Sequence, residues 1–320
     1  MQNIVGVTKM MKLQDAITRF YRRCSAMGVS NATIINYRYQ AKAMLKFFYA
    51  KEIFFVENIT PDDIRAYLAY MRDYGYAPDT IRDRYNGLNT LFNFLCEDGV
   101  LVQNPMKPVK KPKLPKIPAR TFTTTELQKI LGYYKENTFT GLRNKCILYI
   151  LFSTGIRRAE LLGLTMFSLH LDEGVMDIIG KGNKQRIVPI TPHLEKIIRK
   201  YIKARAERLL DLQVETSAFL IGKWGKPLTV GGLRELFREL KEGTDIGKSN
   251  AKRISPHTFR HTCIKNLLLN GCNLYFIKRL LGHSDLSVTE VYLDHVNTQD
   301  MYNQMKEFSP IENSKWSYLG

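Results

Sequence analysis

Residues 105–120 read PMKPVKKPKLPKIPAR, with five prolines, six basic residues and no acid. Proline fixes φ and has no amide hydrogen, so at this density no helix can run through, and an extended strap is expected. The strap divides the 320-residue chain into a region 1–104 and a region 121–320, each long enough to bury a core of its own. A stiff, solvated linker accounts for the composition. Its lysines Lys107, Lys110, Lys111 and Lys113 also give it charge to lie along a phosphate backbone, and the two roles are compatible.

The first region reads as four amphipathic helices joined by short turns, a small helical domain. Leu13, Ile17, Phe20, Tyr21, Cys24 and Met27 share one face at helical spacing, as do Ile34, Tyr37, Ala41, Met44, Leu45 and Phe48. A third helix opens at TPDDI, with Thr60 as cap, Pro61 in the first turn and two acids beside the positive helix end. A fourth carries Ile81, Tyr85, Leu88, Leu91, Phe92 and Leu95 and stops near Gly99.

The second region opens at Phe122, with Thr123 or Thr124 placed to cap a helix entering at Glu126. Helical patterns follow around 141–153 and 158–164. GVMDIIGKGNKQRIVPI then alternates about a Gly-Lys-Gly-Asn turn and reads as a hairpin. Further helices are expected near 192–210, 229–241, 256–269, 273–281 and 286–293. The fold class is therefore mainly α with one small β-sheet.

Charge narrows the function. Forty-eight Lys and Arg against thirty Asp and Glu give +18 at pH 7. An excess that large suits a polyanionic partner, nucleic acid before acidic lipid, although self-repulsion for solubility also accounts for it. No apolar run approaches the roughly 18 residues of a membrane-spanning helix. MQNIVGVTKMMKLQ lacks the pattern of a signal peptide. The five cysteines are widely spaced and form no CxxC pair, so neither a disulfide framework nor a zinc knuckle is expected. A reducing cytoplasm and no membrane partner follow as expectations.

Four short stretches of the second region carry charge that a fold alone does not require: TGIRRAELLGL, IIGKGNKQRIVPI, SPHTFRHT and LGHSDLSVTEVY. Each has a bland explanation: a solvated arginine (the better account of Arg158), a lysine on a hairpin tip, a structural histidine, a core tyrosine. Together they supply a complete chemistry. A tyrosine phenol, with a pKa near ~10, can attack phosphorus only if a base takes its proton, and the departing alkoxide needs an acid. Attack on a phosphodiester places charge on the non-bridging oxygens, which two arginines from different helices can clamp. Arg157, Arg260, Lys181, His257, His283 and Tyr292 fill these roles. The set is arginine-rich rather than a cluster of metal ligands, which points to a reaction without metal or other cofactor.

These stretches resemble the boxes of the tyrosine recombinases, the phage-integrase and Xer group, in which an arginine box, a hairpin lysine, His-x-x-Arg, Leu-Gly-His and a nucleophilic tyrosine follow in that order. Residue by residue, the resemblance makes Arg157 and Arg260 the arginines, Lys181 the lysine, His257 and His283 the histidines and Tyr292 the nucleophile. Glu160 matches the acid that supports the first box. The resemblance is strong from about Phe122 to Val296 and one of layout over residues 13–100, where the family has its core-binding domain.

What the resemblance implies is a two-domain clamp on duplex DNA carrying specific recombination sites. Tyr292 would leave a 3′-phosphotyrosyl link and a free 5′-hydroxyl, which attacks the matching link in a partner duplex without ATP. Lys181 is the candidate acid for the 5′ oxygen, His257 the acid/base on the tyrosine side, and His283 a hydrogen-bond donor to the phosphate. A type IB topoisomerase and a DNA-binding regulator without cleavage are the alternatives. The Leu-Gly-His box speaks against the first, and the presence of all six residues against the second. Met301, Met305 and Phe308 give the tail one apolar face, and the resemblance implies that a tail helix is donated to a neighbour in a ring of four, from a protein monomeric when free. No extra N-terminal arm-binding domain is expected. Integration and excision of a mobile element fit as well as resolution of chromosome dimers.

Overall fold

A computed structural model of the chain describes residues 10–114, 120–247 and 254–282. The chain separates into two compact units, residues 1–117 and 118–320. Among the described residues there are eleven α-helices and three strands, so the architecture is mainly α with a small sheet.

The first unit holds α1 (Leu13–Ala26), α2 (Asn31–Tyr49), α3 (Pro61–Asp73) and α4 (Pro78–Glu97). Ile17, Phe20, Phe48, Ile64, Tyr67, Phe92 and Leu95 meet in one core. The helix starts follow from local chemistry. Thr60 Oγ1 accepts the amide of Asp63 at 3.2 Å, and the Asp63 carboxylate accepts the Thr60 amide at 3.0 Å, a reciprocal cap that satisfies two otherwise orphaned donors. Met27 departs from the expected apolar face. It follows the last residue of α1 and is 70% exposed, because the helix stops before its side chain can turn inward.

The strap also departs from a uniformly extended segment. Met106 and Val109, three residues apart, are buried in the core of the first unit. Tyr85 Oη donates to the Val109 carbonyl at 2.8 Å and Arg65 Nη2 to the Pro108 carbonyl at 3.2 Å. The Asn104 side chain accepts the Met106 amide at 2.7 Å, folding residues 104–109 into turns. Two apolar side chains among the prolines suffice to fasten this half to the helices. Residues 110–114 have no regular structure, and Lys107, Lys110, Lys111 and Lys113 are exposed.

The second unit begins with α5 (Thr124–Tyr133), capped reciprocally by Thr123 and Glu126. α6 (Phe139–Thr154) is buried on most of its circumference through Leu142, Cys146, Ile147, Leu148, Ile150 and Leu151, and is the central helix. After the short α7 (Arg158–Leu162) come β1 (Leu169–His170), β2 (Val175–Ile179) and β3 (Gln185–Pro189), an antiparallel sheet in the order β1-β2-β3. Met176 faces Val188 and Ile178 faces Arg186 in the β2–β3 register. The expected hairpin is thus joined by a third strand of two residues. α8 (Pro192–Leu212), α9 (Val230–Gly243), α10 (Pro256–Leu269) and α11 (Leu274–Leu281) complete the unit. The helix expected near 286–293 and the tail face at Met301, Met305 and Phe308 lie outside the described residues.

Candidate active site

α6 ends at Thr154 because Gly155 turns left-handed, with φ +61°. A side chain there would meet Leu281 Cδ2 at 3.0 Å and Cys263 Sγ at 3.4 Å, so both backbone and space call for glycine. The turn delivers Arg157 as the N-cap of α7. Its backbone amide donates to Glu160 Oε2 at 2.7 Å and its Nη1 to Glu160 Oε1 at 2.9 Å. A carboxylate thereby caps the helix and orients the guanidinium at once.

The Glu160 side chain is only 3% exposed. Burial alone would push its pKa up, yet the hydrogen bonds from Arg186 and the Arg157 amide, with the guanidinium charges behind them, hold it down at about 2. Arg186, on β3, forms a fork: Nη1 to Oε1 at 2.9 Å and Nη2 to Oε2 at 2.8 Å.

Arg260 projects from α10 and is buried. It donates to the Gly155 carbonyl at 2.6 Å and to the Leu281 carbonyl at 3.1 Å. Arg157 Nη1 reaches the same Leu281 carbonyl at 3.4 Å, and Arg186 Nε donates to the Leu280 carbonyl at 2.8 Å. Three arginines therefore hold the last carbonyls of α11, where a helix leaves its acceptors unsatisfied and negative. Gly282 follows in the left-handed conformation, φ +64°, which explains a Leu-Gly pair at this helix end.

His257, one turn before Arg260 on α10, stacks edge-on with His261 at 4.2 Å between ring centroids. Partial burial, then the charges of Arg260 and Arg157, lower its pKa. That direction favours the neutral imidazole, the form able to accept a proton.

Arg157, His257 and Arg260 line a cavity of about 940 Å³ whose wall also carries Arg120, Arg158, Arg234, Arg238 and Lys241. None of the described lining residues is acidic. A basin of that composition attracts a polyanion and resists losing it.

The structure thus brings Arg157, Glu160, His257 and Arg260 to one site. Lys181 stands at the first position of the turn between β2 and β3. His283 and Tyr292 lie outside the described residues. Sequence reasoning missed Arg186 and the basic face of α9 formed by Arg234, Arg238 and Lys241. The mark of Arg186 was in the strand pattern: in QRIVPI it alternates with the buried Val188 and Ile190, which makes it a charge at an inward-facing position.

A helical unit is thus followed by a mainly helical unit that carries a small sheet and an arginine-lined basin suited to a polyanion. The phage integrase family model matches residues 120–299, and the phage integrase N-terminal SAM-like domain matches residues 17–100. The chain is 31% identical over 284 residues to the tyrosine recombinase XerD of Halalkalibacterium halodurans, covering 88% of this chain and 93% of that protein. It is 29% identical over 256 residues to the tyrosine recombinase XerC of Listeria welshimeri, covering 79% and 83%. Its fold is similar to that of the XerH site-specific recombinase solved with its difH substrate as a post-cleavage complex, with a TM-score of 0.72 at 19% identity over 91% of this chain and 84% of that one. The chain belongs to the phage integrase family and is a tyrosine recombinase of the XerC/XerD kind, an enzyme of site-specific DNA recombination.

Proposed function

We propose that this recombinase cuts and rejoins duplex DNA through a 3′-phosphotyrosyl intermediate, with Tyr292 as nucleophile and neither metal nor ATP. The observation that carries the reading is the pairing of Arg157 and Arg260. One caps α7 and the other projects from α10, each is oriented by hydrogen bonds to buried partners, and both open with His257 on one basin that has no acid among its described lining residues. A phosphodiester seated between them has its two non-bridging oxygens clamped as charge grows on them. The Tyr292 oxygen then forms a bond to phosphorus as the 5′ oxygen departs. His257, whose neutral form its surroundings favour, takes the phenolic proton, Lys181 gives one to the 5′ oxygen, and His283 donates to the phosphate. The freed 5′-hydroxyl attacks the link in a partner duplex, and each bond broken is replaced by another.

Tyr292→Phe tests this. The variant is expected to form no covalent adduct on a nicked suicide substrate while keeping its affinity for site DNA, because only the attacking oxygen is gone. An adduct that persists moves the nucleophile, with Tyr302 the first to examine, and loss of wild-type cleavage in chelator overturns the metal-free step.

Contact with the duplex extends, in this reading, to the exposed lysines Lys107, Lys110, Lys111 and Lys113 of the strap. Replacing them with glutamine is expected to weaken specific and random duplexes alike and to lower the log–log salt slope by about 0.9 per lost contact. An unchanged slope leaves the strap as a linker. The working assembly is a homo-tetramer on two recombination sites, formed from free monomers and read by sedimentation on site DNA. The same exchange serves a mobile element or a replicated chromosome, and mapping the protected site in the native DNA tells these apart.

A further inference from the structure

We propose that Arg186 is a positioning residue that locks the hairpin bearing Lys181 to the Arg157–Glu160 pair and to the end of α11, so that the proton donor and the phosphate clamp keep one register. The inference rests on the reading above, in which Lys181 protonates the departing 5′ oxygen.

Arg186 does not line the cavity; it stands behind it. Its side chain is 12% exposed. Three of its nitrogens are committed in three directions. The fork Nη1 and Nη2 takes both oxygens of Glu160, at 2.9 and 2.8 Å, and Nε takes the Leu280 carbonyl at 2.8 Å. Glu160 in turn holds Arg157, and the turn carrying Lys181 leads directly into β3, which begins at Gln185 beside Arg186, with Gly180 donating to the Lys184 carbonyl at 2.8 Å. One guanidinium therefore ties together the first arginine box, the hairpin and the helix that leads to Leu-Gly-His.

The enclosure is tight. A Cβ on Gly282 would sit 3.1 Å from Arg186 Cδ and 3.3 Å from its Nη1, so the residue before His283 has to be small for the fork to fit. Lysine cannot replace the arginine, because a single ammonium cannot meet two carboxylate oxygens and a carbonyl in these fixed directions. A buried pair that served the fold alone would hold its own neighbourhood. This one stands on the strand that follows the Lys181 turn and reaches both the carboxylate that orients Arg157 and the end of α11, which is the arrangement expected of a brace for chemistry: a misplacement of about 1 Å can cost roughly 10²-fold in rate.

The test compares two substrates in single-turnover cleavage. One is a nicked suicide duplex with an ordinary 5′ oxygen leaving group, and the other carries a 5′-bridging sulfur, which departs as a thiolate and needs no proton. Lys181→Ala and Arg186→Gln are each expected to slow the oxygen substrate about 10²-fold and the sulfur substrate by less than about tenfold, with site-DNA affinity within about threefold of wild type. Arg186→Lys, which keeps the charge and lacks the fork, is expected to follow Arg186→Gln, and carries the same readout if the glutamine variant does not fold. Equal losses on both substrates for the Arg186 variants, with Lys181→Ala still rescued by sulfur, overturn the proposal and leave Arg186 a structural pair. A Lys181→Ala variant that sulfur does not rescue overturns the assignment of Lys181 itself, and the proposal with it.

Discussion

In the first unit Arg84 is 6% exposed, and its Nε and Nη1 have no hydrogen-bond partner among the described residues; in the second unit Arg143, Arg205 and Arg260 are buried to a similar degree, and every one donates to backbone carbonyls. Arg143 reaches the Ile221 carbonyl and Arg205 those of Thr216, Ala218 and Phe219. Arg260 reaches those of Gly155 and Leu281. Glu160 belongs to the same pattern, with both oxygens forked by Arg186. A fully satisfied buried network admits one arrangement, whereas apolar and aromatic packing admits many near-equivalent ones. The unit that gathers Arg157, Glu160, His257 and Arg260 is built in the first way. The helical unit, whose core is largely aromatic and aliphatic, is built in the second.

The largest expected effect lies in the polar network. Glu160→Gln removes the charge that two guanidiniums face, and breaking one side of such a buried pair typically costs about 3–5 kcal/mol. The pH dependence supplies a sharper signature. A carboxyl held at about 2 instead of 4.5 is depressed in the folded state, so its stabilisation is complete above the unfolded value and is lost as pH falls toward 2. Its size is on the order of 3 kcal/mol. Urea melts of the wild type are expected to lose stability between pH 5 and about 3, and Glu160→Gln melts to show a shallower slope there. Equal slopes would remove Glu160 from the network and dissolve the contrast between the units.

A paired glycine experiment probes the same contrast at the backbone. Gly155 and Gly99 are both left-handed, at φ +61° and +72°, but a Cβ on Gly155 meets Leu281 and Cys263 while one on Gly99 meets nothing within 4 Å. Gly99→Ala is expected to cost about 1–2 kcal/mol, from backbone strain alone. Gly155→Ala adds overpacking of about 1–3 kcal/mol and displaces a carbonyl that holds Arg260, so cleavage is expected to fall as well. Denaturant melts and the suicide-substrate assay read both. Equal costs would mean that the turn before the first arginine box is no more constrained than a surface turn.

How much of this was legible in the sequence divides along the same line. Helices of the first unit could be read from periodicity, because their packing is one-sided and apolar; Thr60 and Pro61 even fixed where α3 begins. Met27 was misplaced because periodicity does not say where a helix stops. The strap's prolines announced a break in helix, but Met106 and Val109 bind to a core that only folding assembles. In the second unit the residues of the boxes were named from a resemblance in residue type and order, and the structure gathers Arg157, Glu160, His257 and Arg260 among them. What holds them could not be named, since Arg186 finds Glu160 from 26 positions away and Leu280 from 94. Contacts of that range leave only an indirect trace, here a charge at an inward strand position.

The smallest expected effect belongs to Arg84, and it is the most direct way to break the comparison. Its guanidinium lies 5.1 Å from the centroid of the Tyr39 ring, an attraction of about 0.5–1 kcal/mol when partly exposed and more when desolvated. Against this stands the removal from water of two nitrogens that no protein group replaces, about 1–3 kcal/mol for each unsatisfied group. Tyr67, whose hydroxyl is likewise without a hydrogen-bond partner among the described residues, lines the same cavity of about 30 Å³, and burial pushes its phenol up to about 12. Arg84→Met keeps the apolar stem and its packing while removing the charge. The variant is therefore expected to match the wild type within about 1 kcal/mol or to exceed it, whereas Arg205→Met, which strands three carbonyls, is expected to lose several times as much. A loss above about 2 kcal/mol in Arg84→Met would mean that the guanidinium has a bound water or ion as its partner. The helical unit would then be built around a satisfied polar group, as the second unit is.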